Sequence, residues 1–393
     1  MNYRRKIFNS IDQRLTQGTD LIQVISGPRQ VGKTTLVKQL FESKKRLGIY
    51  HIADGVMVDG ALWLERIFHE AQLKQTKSRL PVVLAIDEIQ KIPNWSETIK
   101  RLVDTERFNN SNPIQLLLLG SSHWLMQRGL SESLAGRFEQ WNINHWTFQE
   151  LKEAFDITPE EYVFFGAYPG AVAYYKDEDR WRSYVKSALI ETVIMKDVLL
   201  MHRIEKPALL RRVFELGVHY SGQILSYTKV LGQLQEAKNT TTIAHYLDLL
   251  HQSGLLVGLH KFAIDKARQR SSSPKWQVMN NALMGALGDE NFKQVVKNKK
   301  EWGRRVESAI GAHLLAHLGA DMELFYWNLS NAEVDFIIKW RNQYVALEVK
   351  LTGDKISGLQ KFCQHFKPHR IYQLSESGLS WQALLEMDPR ELF

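Results

Sequence analysis

Apolar runs of strand length alternate with helix-like stretches over the first part of this 393-residue chain. Five strand-like segments cover residues 21–26, 47–52, 82–87, 114–119 and 138–143. Uninterrupted apolar runs of this length are typical of strands buried on both faces of a parallel sheet. The alternation therefore predicts an α/β domain over residues 1–155, with helices on both faces of the sheet. Ligands bind such sheets at the carboxyl ends of the strands.

The pattern changes after this first domain. Residues 156–205 are helical in pattern and rich in Tyr, Trp and Lys, which predicts a helical lid and connector. Residues 206–277 contain an apolar helical face, a short second helix, and a third helix that begins at the capping residues 239–242. A strand and a basic segment follow, so this region is predicted to be a winged helix. Residues 278–393 place a helix before two strand-like segments, and we expect a second α/β domain there.

A glycine-rich segment follows the first apolar run and opens a helical pattern. It matches the phosphate-loop motif G-x-x-x-x-G-K-[ST] at every fixed position. Its glycines allow backbone N–H groups to approach phosphate oxygens, and the helix start adds partial positive charge. We expect Lys33 to reach the β- and γ-phosphates and Thr34 to complete a Mg²⁺ shell. The predicted nucleotide-binding loop comprises Gly27, Pro28, Arg29, Gln30, Val31, Gly32, Lys33, Thr34 and Thr35.

Two carboxylates, Asp87 and Glu88, end the third predicted strand. Asp87 is expected to hold Mg²⁺ through its water shell, and Glu88 to orient the attacking water. The fourth predicted strand runs into Ser121 and Ser122, whose hydroxyls can contact the γ-phosphate or that water. Ordinary turn chemistry is the alternative for these serines. Together the strand ends and the phosphate loop predict a site that binds ATP with Mg²⁺ and hydrolyses it.

A second acidic group lies in the C-terminal third. Glu307 lies on an apolar-patterned helix, and Asp335 lies in the first of two predicted strands. Glu348 and Lys350 share one face of the next strand. This D…E-x-K arrangement resembles the PD-(D/E)XK nuclease superfamily. The resemblance implies Mg²⁺ or Mn²⁺ on the three carboxylates and Lys350 beside the scissile phosphate of DNA. The alternative is a nuclease-like fold kept for DNA binding or packing, in which these side chains form surface pairs.

The predicted winged helix supplies candidate DNA contacts. Its third helix begins at Thr240 and Thr241, and the basic segment that would form the wing follows the next strand. The cations of that segment are Lys266, Arg268, Arg270 and Lys275. We expect the threonines and the wing to contact the DNA backbone or a groove. The third helix carries no Lys or Arg between Thr240 and Ser253, and the alternative is a winged helix that packs against protein.

The phosphate loop, the Asp-Glu-Ile-Gln end of the third strand, and the Leu-Ala-Gly-Arg segment at 134–137 resemble an AAA+ ATPase. More narrowly, they resemble the bacterial and archaeal AAA+ ATPases that carry a C-terminal DUF4143 domain. The resemblance covers nearly the whole chain, including Tyr-Pro-Gly at 168–170, and implies a five-stranded core with a helical lid. It also places Arg137 where AAA+ proteins carry an arginine finger that completes a neighbour's site. The alternative for Arg137 is a salt bridge within its own subunit or a helix cap.

The composition of the chain indicates the class of protein and the cellular compartment to expect. At 393 residues, with 44% hydrophobic and 24% charged residues, the chain has the composition of a multi-domain globular protein. No apolar run approaches the roughly 20 residues of a membrane span, and no signal-peptide core follows the basic start. The single cysteine, Cys363, excludes an intrachain disulfide, so we expect a cytoplasmic protein. A net charge of +8 favours an anionic partner such as DNA.

These observations predict an ATP-hydrolysing AAA+ protein that acts on DNA, including branched or single-stranded DNA. An arginine finger that works on a neighbour implies a homo-oligomer, and we expect a hexameric ring. A nucleotide-dependent switch that gathers partner proteins, without moving along DNA or cutting it, is the rival prediction. A structural dimer held together by the C-terminal domain is a third.

Overall fold

The computed structural model describes residues 3–18, 20–43, 45–56, 59–109, 113–121, 130, 133–198, 204, 206–234, 239–265, 269, 272–319, 321–351, 357–375 and 378–393. The chain forms two compact units, Met1–Asn144 and His145–Phe393. The first unit ends shortly before the boundary that the sequence predicts after residue 155. Within the described ranges, no helix combines the length and the apolar character needed to cross a membrane.

The first unit is a five-stranded parallel sheet with helices on both faces, as predicted. Its strands pair in the order β2-β3-β4-β1-β5. They are β1 (Ile22–Ser26), β2 (Leu47–Ile52), β3 (Val82–Asp87), β4 (Gln115–Gly120) and β5 (Phe138–Asn142). The helices are α1 (Ile7–Gln17), α2 (Lys33–Glu42), α3 (Gly60–Lys77) and α4 (Trp95–Asn109). All five strands lie within one residue of the predicted bounds. The three central strands, β1, β3 and β4, are buried along their whole length, which requires mainly apolar sequences, whereas the edge strands β2 and β5 are partly exposed.

Alternate residues of each central strand pack into two separate cores. Leu84 of β3 belongs to the core that includes Leu64 of α3 and Ile99 of α4. Its neighbour Ala85 belongs to the opposite core, with Leu36 of α2. Side chains alternate between the faces of a strand, so both faces of β3 are buried and its carboxyl end is held firmly. That end carries the predicted catalytic carboxylates.

The second unit begins with a helical region. The helices in this unit are α5 (Phe148–Phe155), α6 (Pro159–Phe165), α7 (Glu178–Tyr184), α8 (Pro207–His219), α9 (Tyr227–Gln233), α10 (Thr240–Gln252), α11 (Ala282–Leu287), α12 (Phe292–Lys297), α13 (Lys299–Ala316), α14 (Ser357–His365) and α15 (Trp381–Glu386). One buried core contains Trp181 of α7, Phe214 of α8, Leu250 of α10 and Leu283 of α11. The predicted lid, winged helix and C-terminal domain therefore share apolar packing, and the core is continuous across their predicted boundaries.

A seven-stranded sheet joins the later parts of this unit. Its strands are β6 (Gln223–Ile224), β7 (Leu256–Lys261), β8 (Lys275–Val278), β9 (Met322–Leu329), β10 (Ala332–Trp340), β11 (Gln343–Val349) and β12 (Arg370–Leu374). They pair in the order β12-β11-β10-β9-β7-β8-β6. Strand β7 pairs in parallel with β9, with His260 opposite Phe325. The strands of the predicted winged helix thus continue into those of the predicted C-terminal domain, and the predicted boundary after residue 277 falls inside β8.

Candidate active site

The phosphate loop connects β1 to α2 at the carboxyl end of the sheet. Gly32 adopts a left-handed conformation, with φ of 91°, immediately before Lys33 begins α2. A Cβ atom on Gly27 would lie only 2.0 Å from the carbonyl oxygen of Ile143. Only glycine fits where the loop passes this close to the backbone after β5. The two glycines of the motif therefore meet two separate steric demands.

The ammonium of Lys33 is bound by its own loop. Lys33 is buried, and its Nζ donates to the carbonyl oxygens of Gly27 and Pro28 at 2.8 Å each. A second cation supports the loop from outside, because Arg5 Nη1 donates to the carbonyl oxygens of Val31 and Asn144 at 3.3 and 3.0 Å. Sequence reasoning missed Arg5, since nothing in the motif points to a residue so far upstream.

The two predicted Mg²⁺ residues lie together. Thr34 Oγ1 donates to Asp87 Oδ2 at 2.9 Å. The same carboxylate oxygen accepts from the hydroxyl of Tyr50 at 2.6 Å. A hydroxyl and a carboxylate are the oxygen ligands that Mg²⁺ prefers, so this donor set fits the ion. Burial, followed by the hydrogen bond to Asp87, raises the pKa of Tyr50 above its ordinary value, so its hydroxyl stays a donor.

Tyr50 was not predicted as a site residue. It lies on the edge strand β2, whose partner is β3, and Ile52 of β2 is opposite Asp87 in the register. A tyrosine two positions before that point reaches Asp87 only because the two strands lie side by side. The one feature of the sequence that could have indicated this role is the hydroxyl group of Tyr50 within a largely apolar strand.

The predicted water-orienting residue, Glu88, has two side-chain partners. Ser121 Oγ donates to Glu88 Oε2 at 3.0 Å, and Gln90 Nε2 donates to the same oxygen at 2.5 Å. Gln90 also lies 3.4 Å from Ser121 Oγ. The ends of β3 and β4 thus bring Glu88 and Ser121 together, as expected of neighbouring parallel strands. Ser122, the other predicted serine, lies outside the described residues.

Arg137 makes an ion pair within its own subunit. Its Nε and Nη2 lie 3.1 and 3.3 Å from the two carboxylate oxygens of Asp104 on α4. Both side chains are more than a third exposed. This contact is the alternative that the sequence left open for Arg137, and the role as a finger stays a prediction.

The C-terminal acidic residues gather around a lysine. Lys275 is fully buried, and its Nζ lies 2.7 Å from Glu307 Oε1, 3.1 Å from Asp335 Oδ1 and 3.2 Å from Glu333 Oε1. The prediction that Lys275 contacts DNA from an exposed wing is therefore wrong. Lys275 begins β8, which lies between β7 and the edge strand β6. Its aliphatic stem can be buried there because its charge is paired.

The predicted metal ligands do not form a metal site. One carboxylate oxygen of Asp335 forms an ion pair with Lys275. The other accepts a hydrogen bond from the backbone N–H of Val349 at 2.7 Å. Glu348 pairs instead with Lys350, whose Nζ lies 2.6 Å from Glu348 Oε1. In the parts of the chain that the structure describes, no group of three or more His, Cys, Asp or Glu residues is placed to hold a metal. The donor set at Glu307, Asp335 and Glu348 does not fit Mg²⁺ or Mn²⁺, because Lys275 pairs with the first two carboxylates and Lys350 with the third.

The remaining predicted DNA contacts are partly described. Thr240 and Thr241 begin α10, and the hydroxyl of Thr241 donates to Asn239 Oδ1 at 2.8 Å. Asn239 also caps the helix by accepting from the backbone N–H of Thr242. The hydroxyl of Thr241 therefore contacts the capping residue of its own helix. Lys266, Arg268 and Arg270 lie outside the described residues.

Replacing Tyr50 with Phe tests its support of the Mg²⁺ site. The substitution removes the hydrogen bond to Asp87 and little else, because the ring is retained. We expect roughly a 10-fold rise in the Mg²⁺ concentration that gives half-maximal nucleotide hydrolysis, as for other groups that hold a metal ligand. A Mg²⁺ titration of steady-state hydrolysis measures this. Tyr227→Phe, in the second unit, is the matched control, and an unchanged Mg²⁺ requirement in Tyr50→Phe would show that Tyr50 does not support the site.

Comparison with known proteins agrees with this geometry. The family described as "AAA domain" matches residues 19–152, which contain the whole nucleotide site. Two families described as domains of unknown function follow: DUF8612 at residues 158–294 and DUF4143 at residues 302–380.

Relatives and solved structures give more distant matches. An uncharacterized protein of Mycobacterium tuberculosis, Rv2008c, is 24% identical over 84% of this chain and 70% of its own length. The uncharacterized protein MJ1544 of Methanocaldococcus jannaschii is 25% identical over 82% of this chain and 73% of its own. The structure of the Aeropyrum pernix ORC1 protein in complex with DNA overlaps 74% of this chain and 92% of its own, at 14% identity. Its TM-score of 0.31 is too low to carry any inference. One chain therefore carries a match to an AAA domain and, C-terminal to it, a match to DUF4143, which is the combination that the sequence resembles.

Proposed function

We propose that this protein hydrolyses ATP in its first unit and uses the energy to act on DNA as a homo-oligomeric ring. The observation that carries the proposal is the convergence of four predicted residues at one edge of the sheet. Lys33 and Thr34 begin α2, while Asp87 is the last residue of β3 and Glu88 follows it. Asp87 and Thr34 are in hydrogen-bond contact, and Glu88 is held at a fixed place by Ser121. Phosphoryl transfer needs positioning and charge stabilisation of this kind.

Binding of ATP requires Lys33 to exchange partners. Its Nζ now lies on the carbonyl oxygens of Gly27 and Pro28, and a β- or γ-phosphate oxygen is a stronger acceptor because it is charged. The exchange frees the loop to turn its N–H groups toward the phosphates. Bound with the nucleotide, Mg²⁺ neutralises charge on the β- and γ-phosphate oxygens. Thr34 and Asp87 hold its place, and Tyr50 keeps the carboxylate of Asp87 oriented.

Hydrolysis requires Glu88 to face the attacking water. In the free protein its Oε2 accepts from both Ser121 and Gln90, so a water must compete with two side-chain donors for the same oxygen. We propose that ATP binding shifts this balance, and that Ser121 then contacts the γ-phosphate or the water. The residue following Asp87 adopts a left-handed conformation, with φ of 55° at Glu88, which directs its side chain away from the line of the strand.

Ring formation rests on Arg137. Its guanidinium is partly exposed and paired with Asp104, and exposed ion pairs of this kind contribute only about 0.5 kcal/mol. The γ-phosphate of a neighbour carries more charge than one carboxylate, so the exchange is favourable when a neighbour is present. The number of subunits we propose, six, follows from the family resemblance.

DNA is proposed as partner from charge. The net charge is +8, and three cations, Lys266, Arg268 and Arg270, fall within six residues between β7 and β8. In the sequence this basic segment follows the helices α8, α9 and α10. A cluster of cations of this kind can bind the phosphates of the DNA backbone. Cleavage of that DNA by the C-terminal domain is not part of the proposal, because its acidic residues pair with lysines.

A second candidate is a nucleotide-dependent switch that recruits protein partners. Two observations favour it: α10 carries no Lys or Arg, and the hydroxyl of Thr241 is engaged by Asn239. Measuring ATP hydrolysis with and without single-stranded, duplex and four-way-junction DNA separates the two. Strong stimulation by DNA supports action on DNA, and the same rate in all four conditions supports the switch.

Substitutions at the nucleotide site test hydrolysis itself. Lys33→Ala should abolish ATP binding and turnover, because the phosphates lose their counter-charge. Glu88→Gln should keep ATP binding but lower the turnover rate by about 100-fold or more, the usual contribution of a general base. Nucleotide affinity and phosphate release measure the two effects. Glu97→Gln, an exposed glutamate on α4, is the control, and wild-type turnover by Glu88→Gln would assign the water to another residue.

Arg137→Ala and Asp104→Asn separate the two roles of this ion pair. If Arg137 acts in trans, Arg137→Ala lowers hydrolysis by about 1000-fold while Asp104→Asn keeps it. Mixed with Lys33→Ala subunits, Arg137→Ala should recover part of the activity, since one partner supplies the loop and the other the arginine. If the pair is only structural, both variants hydrolyse ATP normally and lose about 0.5 kcal/mol of stability. Native mass spectrometry first shows that the oligomers contain both variants. Their rate of ATP hydrolysis then distinguishes the two roles of Arg137.

Removing the basic segment tests the DNA contact. Replacing Lys266, Arg268 and Arg270 with Ala should weaken binding alike for all sequences. The slope of log affinity against log salt should flatten by up to about 0.9 for each lost phosphate contact on duplex DNA. A variant with Lys297, Lys299 and Lys300 replaced removes the same charge from another surface. Equal affinities and slopes in the two variants would mean that the basic segment is no DNA contact.

A further inference from the structure

Lys275 is a buried cation surrounded by acids. It starts β8, its side chain has no exposed surface, and its neighbour Trp276 is also fully buried. A lone ammonium is strongly unfavourable in such a place unless it is paired and hydrogen-bonded. The chain meets this demand with side chains from two elements, α13 and β10. The position of Lys275 is therefore fixed by charge as well as by packing.

Four oxygens converge on the Lys275 ammonium. Three are carboxylate oxygens of Glu307, Asp335 and Glu333, at 2.7, 3.1 and 3.2 Å, and the fourth is the backbone carbonyl of Asp335, at 3.5 Å. The face of Phe336 lies 5.2 Å away and closes one side. Carboxylate and carbonyl oxygens are also the ligands of hard divalent cations. The distances here are those of hydrogen bonds, not of metal coordination, which requires about 2.0–2.6 Å.

The charges within this group are strongly linked. Burial by itself disfavours an ammonium, but the carboxylates of Glu307, Asp335 and Glu333, at 2.7–3.2 Å from Lys275 Nζ, favour its charged form. Lys275 therefore stays charged, and it neutralises acids that would otherwise repel one another.

We propose that the ammonium of Lys275 is the resident cation of this acidic group and takes the place of a divalent metal. The C-terminal domain then folds and works without Mg²⁺ or Mn²⁺, and it does not cut DNA by metal-assisted hydrolysis. Removing the ammonium opens a binding site for a hard divalent cation, built from Glu307, Glu333 and Asp335. This inference goes beyond the proposed ATP hydrolysis and does not depend on it.

Comparing full-length wild type with Lys275→Met tests the proposal, because methionine keeps the apolar stem and removes the charge. Mn²⁺ alone is the probe, without nucleotide, and is followed by electron paramagnetic resonance and by thermal melting. We expect Mn²⁺ at about 100 times its dissociation constant to raise the melting temperature of Lys275→Met by roughly 5 °C or more. The wild type should show no such shift. Adding Asp335→Asn to Lys275→Met should remove the gain.

A second variant covers the case in which Lys275→Met does not fold. Lys275→Met with Glu307→Gln removes one charge of each sign, keeps Glu333 and Asp335, and should fold without metal and bind Mn²⁺ more weakly. The proposal is overturned if wild type binds Mn²⁺ at a site that Asp335→Asn abolishes. It is equally overturned if both lysine-free variants, once folded, bind no more Mn²⁺ than wild type. Mn²⁺-dependent nicking of DNA that Asp335→Asn removes from wild type would also overturn it.

Discussion

The parallel pairing of five strands is the constraint on which the nucleotide site depends. Because β1, β3 and β4 run the same way, their carboxyl ends meet at one edge, and polar residues lie at or directly after each of these ends. The phosphate loop, Asp87 and Ser121 are brought together by this geometry alone. The apolar cores on both faces then hold the three ends at fixed spacing. Chemistry that relies on positioning needs a rigid frame of this kind.

The groups predicted to act on nucleotide already have partners within the first unit. Lys33 binds loop carbonyls, Thr34 binds Asp87, Glu88 accepts from Ser121, and Arg137 pairs with Asp104. Buried and half-buried polar groups must be satisfied in every state, so each step of a cycle on this site is an exchange of partners. The free energy of one exchange is the difference between two hydrogen bonds, which is small. A nucleotide that binds at this site must therefore displace partners that these side chains already have.

The C-terminal acidic group shows the opposite use of carboxylates. Glu307, Glu333 and Asp335 are not held ready for a ligand, because Lys275 already neutralises them inside the fold. The cation comes from β8, a strand that the sequence placed in another domain. The sheet that joins β7 to β9 is what brings that lysine to these acids. The same feature explains why the predicted domain boundary and the predicted metal site differ from the structure together.

The sequence by itself determined the local parts of this protein. Apolar runs long enough for buried strands, a glycine loop with Lys33, and carboxylates at a strand end each depend on neighbours in the chain, so they could be predicted. Tyr50 and Arg5 could not, because each acts through residues that only strand pairing or chain folding brings near. Lys275 is the clearest example of what the sequence could not predict. Its charge led us to expect an exposed side chain, but the side chain is fully buried in the structure. Whether a charged residue is solvated or paired is decided by long-range contacts, and these exist only in the tertiary structure.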